Sequence, residues 1–250
     1  MTGPPMDGAY VLDGALGDSL DAISSGTNLL VVGDEAGASD LSYRILARAQ
    51  RYRECVVLVT TTETTASVVD AYRSHLADPD DLDHLHVVDA SHSGLERDTG
   101  PLSPARVEAA KSPGDVTGIG VGITNHLRSI KSDRVRLGMV SLSPVVERLG
   151  PERAFAFFHV LTSRVRNADQ LGLFVVDEAR HDGEQVRVLQ SLVDGTLVFR
   201  TTDDDRRLVR GTGVVEGVTL DATDAADARN PVETANEGNG EADETDPDAE

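Results

Sequence analysis

The amino-acid sequence predicts an α/β protein with a mostly parallel central sheet that is flanked by helices. Short runs that are apolar throughout alternate with segments in which apolar residues recur every three or four positions. Strands that are apolar on both faces are typical of parallel sheets covered by helices. Three short runs near the C-terminal end follow one another without a helix between them, which predicts antiparallel strands at one edge of the sheet.

The predicted elements follow one another along most of the chain. The first strand is the run Asn-Leu-Leu-Val-Val, and Gly33 ends it. Asp40 is the predicted N-cap of the first helix, and Pro151 suits the first position of a later one. The predicted strands are 28–32, 55–59, 85–88, 135–142, 171–176, 195–200, 206–210 and 214–220. The predicted helices are 41–49, 65–76, 116–130, 152–167 and 184–193, and a loop covers 91–114.

The charge of the chain is strongly negative, at −20, and Asp carries most of it. There are 28 Asp against 15 Glu, and 2 Lys against 21 Arg, a composition that resembles that of proteins from salt-loving archaea. Such a charge destabilises the compact state by self-repulsion unless salt screens it, so we expect folding to need molar salt. It also repels nucleic acids and anionic lipids, and we expect neither as a partner.

Composition also divides the chain into segments. Residues 1–13 are predicted to form an N-terminal arm and residues 14–220 a single domain. Residues 221–250 contain eleven acidic residues and one Arg, which predicts a disordered acidic tail, with docking to a specific partner as the alternative.

The sole cysteine, Cys55, offers no disulfide within the chain. The sequence contains no signal segment and no membrane-spanning stretch, so we expect a cytoplasmic protein.

The turn after the first strand stands where α/β proteins bind phosphates. A Walker A loop reads G-x-x-x-x-G-K-[ST], and its Lys and hydroxyl hold the phosphates and Mg²⁺. In the register set by Gly33, the second Gly is replaced by Ala38, the Lys by Ser39 and the hydroxyl by Asp40. The candidate cofactor-binding residues are Gly33, Asp34, Glu35, Ala36, Gly37, Ala38, Ser39 and Asp40.

Five segments resemble the RecA/KaiC superfamily of P-loop ATPases, over about residues 14–220. They are NLLVVGDEAGASDL, CVVLVTTTETTASVVDAY, RLGMVSLSPVVERLG, SLVDGTLVFR and RRLVRGTGVV. The resemblance implies a RecA-like three-layer fold and ATP chemistry. The positions that match the family's catalytic residues nevertheless differ: Val140 replaces the Walker B Asp, and Thr62 replaces the first residue of the glutamate pair, leaving Glu63.

These departures predict a non-catalytic regulatory or signalling protein that acts through a protein partner or a homo-oligomer. The alternative is weak binding of ATP through loop amides, with residual or no ATPase activity. No catalytic residue and no metal site is predicted. A zinc site at His84 and His86, with His92 or Asp89 as third ligand, is the weaker interpretation of the His-x-His spacing. His159 is expected in the core or at an interface.

Overall fold

Strands and helices alternate along most of the chain in the computed structural model, which describes residues 8–91, 99–202 and 207–221. Within these ranges the strands are β1 (Ala9–Val11), β2 (Ala15–Asp18), β3 (Ala22–Ser24), β4 (Asn28–Gly33), β5 (Cys55–Thr60), β6 (Leu85–Asp89), β7 (Val107–Ala109), β8 (Val135–Met139), β9 (Leu171–Asp177), β10 (Gly195–Thr201), β11 (Arg207–Gly213) and β12 (Thr219–Asp221). The α-helices are α1 (Glu35–Ala47), α2 (Thr65–Arg73), α3 (Val116–Ser129), α4 (Ser143–Leu149), α5 (Pro151–Asn167) and α6 (Gly183–Gln190).

A nine-stranded sheet forms the centre of the fold, in the order β12-β11-β10-β4-β9-β8-β5-β6-β7. The seven strands from β10 to β7 in this order run parallel. The strands β10, β11 and β12 pair antiparallel at the other end of the sheet. The predicted fold class is therefore confirmed, including the antiparallel edge at the C-terminal end.

Each face of the sheet has its own hydrophobic core. Leu29 and Val31 of β4 lie in the core that α1 and α2 cover, whereas Leu30 and Val32 lie in the core that α3, α4, α5 and α6 cover. Successive side chains of a strand point to opposite faces. A strand between two cores must therefore be apolar at every position, which explains the uninterrupted Leu-Leu-Val-Val run.

The N-terminal residues pack against the domain from Ala9 onward. The strands β1 and β3 form a separate antiparallel pair, and Tyr10 is fully buried. Beneath it lies a buried ion pair, in which Arg136 Nε donates to Glu54 Oε2 at 2.6 Å. Arg136 also donates to the carbonyl oxygens of Val11 at 2.8 Å and Ile45 at 2.7 Å. The predicted arm thus contributes core residues, and the predicted tail lies outside the described residues except for Asp221.

Several predicted boundaries are wrong. The strand β8 ends at Met139 rather than at 142, because the Leu142 N–H bonds to the carbonyl of Val175 and turns the chain into α4, a helix that was not predicted. The range 214–218 is a turn before β12, and the predicted loop 91–114 contains β7. The break before α5 at Pro151 is confirmed. In the parts of the chain that the structure covers, no helix is long and apolar enough to cross a membrane.

Candidate functional site

The carboxyl ends of the parallel strands meet at one edge of the sheet, where open α/β folds bind their ligands. Here the connection from β4 to α1 is a single residue, Asp34, because β4 ends at Gly33 and α1 begins at Glu35. A Walker A loop places several residues between its strand and its helix, so that successive amides wrap the phosphates. The connection in this chain is too short to form such a cradle.

Asp34 closes the N-terminus of α1 with its own carboxylate. Its backbone is extended, and its Oδ1 accepts a hydrogen bond from the Gly37 N–H at 2.9 Å. A helix N-terminus attracts anions through unpaired N–H groups and the helix dipole. The Asp34 side chain supplies that anion from within the chain. The prediction that Asp40 caps this helix is wrong, since Asp40 lies inside α1, at its sixth residue.

Two glycines let Phe199 of β10 approach this turn, Gly37 its ring and Gly33 its backbone. A Cβ on Gly37 would lie 2.1 Å from Cε1 of Phe199, and a Cβ on Gly33 would lie 2.6 Å from its carbonyl oxygen. Phe199 is itself buried. The glycines therefore serve a close approach between the α1 terminus and a neighbouring strand, and the ring fills the space beside the helix start.

Ser39 and Asp40 occupy the positions that match the Walker A Lys and hydroxyl. Ser39 is buried, and its Oγ donates to the carbonyl of Val140 at 3.0 Å, which ties α1 to the end of β8. Asp40 Oδ1 lies 3.0 Å from Nε2 of His75, which follows α2. Both side chains hold neighbouring elements together. Of the other candidate residues, Gly33, Gly37 and Ala38 are buried, Glu35 is half-buried, and Asp34 and Ala36 are exposed.

Two arginines at this edge form ion pairs within the chain. Arg180, which follows β9, donates from Nε and Nη2 to the two carboxylate oxygens of Glu147 at 2.8 and 2.7 Å. Its Nη1 lies 3.5 Å from Glu35 at the start of α1. The hydrogen bonds that Arg180 donates to Glu147 raise the pKa of Arg180, so this guanidinium stays charged. Arg200 of β10 forms a second pair with Glu178.

The end of β5 carries the position of the glutamate pair. Thr60 Oγ1 donates to the carbonyl of Glu63, and Thr61 Oγ1 donates to the carbonyl of Ser141 at 2.6 Å. Thr62 and Glu63 are exposed, and Thr64, rather than Glu63, caps α2. The hydroxyl groups here join backbone segments across the strand ends.

Asp89 at the end of β6 has a structural role that the sequence pattern does not predict. This buried carboxylate accepts from Thr65 Oγ1 at 2.9 Å and from Ser91 through N and Oγ at 2.9 and 2.7 Å. It thereby fixes the start of α2 against β6. The sequence shows only an Asp at the end of an apolar run. Its hydrogen-bond partner on α2 lies 24 residues earlier, so a local pattern does not reveal the contact.

The histidines near β6 separate onto opposite faces of the sheet. His84 Nε2 lies 2.8 Å from the hydroxyl of Tyr72 in the α1–α2 core. His86 Nδ1 lies 3.3 Å from Nδ1 of His126 on α3. The pair His84 and His86 therefore cannot share one metal ion, and the zinc interpretation of this spacing is wrong. The alternative third ligand His92 lies outside the described residues.

The pair of His86 and His126 has a defined hydrogen-bond order. His126 Nε2 lies 2.9 Å from the carbonyl of Val87, which assigns the proton to Nε2 and leaves Nδ1 to accept from His86. Burial and the neighbouring His126 ring lower the pKa of His86 to about 4. Burial also lowers the pKa values of His84 and His126. All three rings are therefore neutral near pH 7.

Together the sheet and its edge define an α/β protein whose strand-to-helix turn is filled by its own carboxylate and aromatic ring. Residues 26–199 match a family of unknown function, DUF7504. This match covers more than half of the chain, and the chain belongs to that family. No curated protein is similar enough to match it.

Proposed function

We propose that this chain is a non-catalytic regulatory or signalling protein on a RecA/KaiC-like scaffold, and that it acts through contact with a protein. The observation that carries this proposal is the occupied turn after β4. Asp34 takes the amide of Gly37 that a phosphate would use, and Phe199 fills the adjoining space. The fold class agrees with the family resemblance, while the turn lacks the groups that ATP chemistry requires.

Electrostatics at this turn supports the same proposal. Asp34 and Glu35 stand at the helix start, and no Lys follows them in α1. Two like charges about 4 Å apart repel by about 1 kcal/mol in water and about 4 kcal/mol near a protein surface. The nearest cation, Arg180, is already paired with Glu147 and Glu35, so a bound triphosphate would have to compete with these carboxylates for it. It would also displace the Asp34 cap, which is worth about 1 kcal/mol.

The position of the Walker B Asp gives a second, independent argument. Val140 is buried, and its carbonyl is already bonded to Ser39. No carboxylate stands there to anchor Mg²⁺ through its waters. Restoring the Lys and hydroxyl in α1 therefore leaves the metal side of the site incomplete.

A calorimetric titration with Mg-ATP in molar KCl tests the proposal. We expect no binding heat and no phosphate release from the wild type. The variant Ser39→Lys/Asp40→Thr should also lack turnover. Asp34→Ser is the matched control for the charge of the turn, because it keeps a capping hydroxyl and removes one carboxylate. Micromolar binding by the wild type would instead favour the weak nucleotide-binding alternative. Phosphate release by the wild type would overturn the proposal.

A further inference from the structure

A cavity of about 350 Å³ lies between the end of α2 and the segments that precede β6 and β7, and it is here called the β6 cavity. The residues that line it include Arg73 of α2, Leu82 and Asp83 before β6, and Leu102 and Arg106 before β7. Because these segments precede parallel strands, the cavity lies at the amino edge of the sheet. It is therefore separate from the turn after β4, which lies at the carboxyl edge.

The β6 cavity carries charges of both signs. Arg73 Nε donates to the carbonyl of Pro79 at 2.9 Å, and its Nη2 donates to Asp80 Oδ1 at 3.1 Å. Arg106 donates through Nη1 to the carbonyl of Asp83 and through Nη2 to Asp83 Oδ1, the latter at 3.1 Å. The bonds to backbone carbonyls hold both guanidinium groups in place beside the cavity.

The aspartates that pair with these arginines lie in solvent. The side chains of Asp80 and Asp83 are 93% and 94% exposed, whereas those of Arg73 and Arg106 are 31% and 26% exposed. Ion pairs with such exposed partners contribute little to stability, because water solvates the carboxylate well. A ligand carboxylate therefore replaces these aspartates at the guanidinium groups at small cost, and the aspartates then become acceptors for a ligand cation.

The remaining wall of the β6 cavity is apolar. Leu82 and Leu102 are buried, and Pro79 and Pro101 line the cavity with them. The volume falls at the lower end of the range for small-molecule sites, which is about 300–1,000 Å³. At about 30 Å³ for each water molecule, the cavity holds about a dozen water-sized groups. Its occupant is thus small and has an apolar part.

A buried donor beside the cavity has no acceptor in the described part of the chain. His84 follows Asp83 directly, and its Nε2 lies 2.8 Å from the Tyr72 hydroxyl. When that hydroxyl donates to Nε2, the proton of the neutral ring is on Nδ1, which has no partner among the described residues. Burial lowers the pKa of His84, and the charged groups with smaller effects on it all line the cavity: Asp81, Arg106 and Asp83. A ligand with an acceptor oxygen matches this donor.

We propose that the β6 cavity binds a free α-amino acid with an apolar side chain. Its carboxylate accepts from Arg73 and Arg106, and its side chain packs on the leucines and prolines. Its ammonium donates to the three aspartates that line the cavity, Asp80, Asp81 and Asp83. A simple anion would meet three carboxylates here, and a simple cation would meet two guanidinium groups, whereas a zwitterion brings a partner for both signs of charge.

This inference goes beyond the proposed function, since it assigns a small-molecule site to a protein that we propose to act through protein contact. Calorimetric titration with L-leucine in molar KCl tests it, and the rise in melting temperature with added L-leucine is a second readout of the same binding. We expect a dissociation constant of about 0.1–1 mM, because the cavity is small and open to solvent.

Two probes remove one charge of the ligand each. Isoamylamine is leucine without its carboxylate, and isocaproate is leucine without its ammonium. Each should bind at least about tenfold more weakly than L-leucine, a difference of about 1.4 kcal/mol, because one set of charges in the wall then lacks its partner.

Variants of the wall test the role of each charge. Arg106→Gln should weaken the binding of L-leucine at least about tenfold, because it removes a donor to the carboxylate. Arg187→Gln is the matched control, since Arg187 is exposed on α6 and is not part of the cavity wall. Asp83→Asn should narrow the difference in affinity between L-leucine and isocaproate, because it removes an acceptor for the ammonium and releases Arg106 for the carboxylate. Far-ultraviolet circular dichroism checks that each variant is folded.

Absence of L-leucine binding at about 10 mM in both measurements would overturn the inference. Binding of isoamylamine or isocaproate as tight as that of L-leucine would also overturn it, because the site would then select a plain cation or anion. Equal effects of Arg106→Gln and Arg187→Gln would contradict the assigned wall. None of these results bears on the turn after β4, whereas phosphate release from Mg-ATP would refute the proposed function and leave the β6 cavity unaffected.

Discussion

The exchange Gly37→Ala tests whether the glycine of the α1 turn is there for the ring of Phe199. The added Cβ would lie 2.1 Å from Cε1 and 2.4 Å from Cζ, whereas ordinary contacts are 3.4–4 Å. Phe199 is buried, so its ring has no open space to move into. Ala is favoured over Gly in a helix by about 1 kcal/mol, but overpacking costs about 1–3 kcal/mol. We expect a net loss of up to about 2 kcal/mol, because the cost of overpacking offsets or exceeds the gain in helix propensity.

Denaturant titration in molar KCl at low micromolar protein measures this loss as a lower midpoint. The control is Gly120→Ala in α3, because a Cβ at Gly120 meets no atom within 4 Å. That variant should gain about 0.5–1 kcal/mol from reduced backbone freedom. Phe199→Leu should lessen the cost of Gly37→Ala in a double-mutant cycle. A Gly37→Ala variant as stable as Gly120→Ala would refute the packing account of this turn.

Three further predictions concern stability. Glu54→Ala leaves the buried Arg136 without its carboxylate and should cost about 3–5 kcal/mol in denaturant titrations, and a cost below about 1 kcal/mol would contradict the buried pair. Between pH 6.5 and about 4, His86 binds a proton in the unfolded chain but not in the folded chain, so stability falls as the pH falls through this window. In thermal melts at several pH values, His86→Gln should make this dependence of stability on pH shallower. An unchanged slope would show that His86 does not cause it. The melting temperature should rise between low and molar KCl, and a constant value would contradict the role of self-repulsion.

Much of the fold could be predicted because local patterns specify it. A run such as Leu29 to Val32, apolar at every position, belongs between two cores. Pro151 suits the first position of a helix, and α5 begins there. The strands β1 and β7 have only three residues each, too few for a periodic pattern. Their formation depends on pairing with β3 and β6, which a local pattern does not reveal.

The candidate site could be located from the sequence but its filling could not. The turn after the first strand was identified from Gly33, yet Asp34 and Asp40 were both suitable caps, and the register with a Walker A loop placed the helix start too late. The space beside this turn is filled by Phe199, which lies more than 160 residues away in the sequence. It reaches the turn because β10 pairs with β4. Such a contact is visible only once the sheet order is known.

A crystal structure determined after growth with Mg-ATP in molar KCl would show whether the start of α1 can hold a nucleotide. We expect the Asp34 carboxylate still bonded to the Gly37 N–H, the Phe199 ring beside it, and no nucleotide at the start of α1. A triphosphate seated at this helix N-terminus, with the Asp34 side chain displaced, would contradict the account.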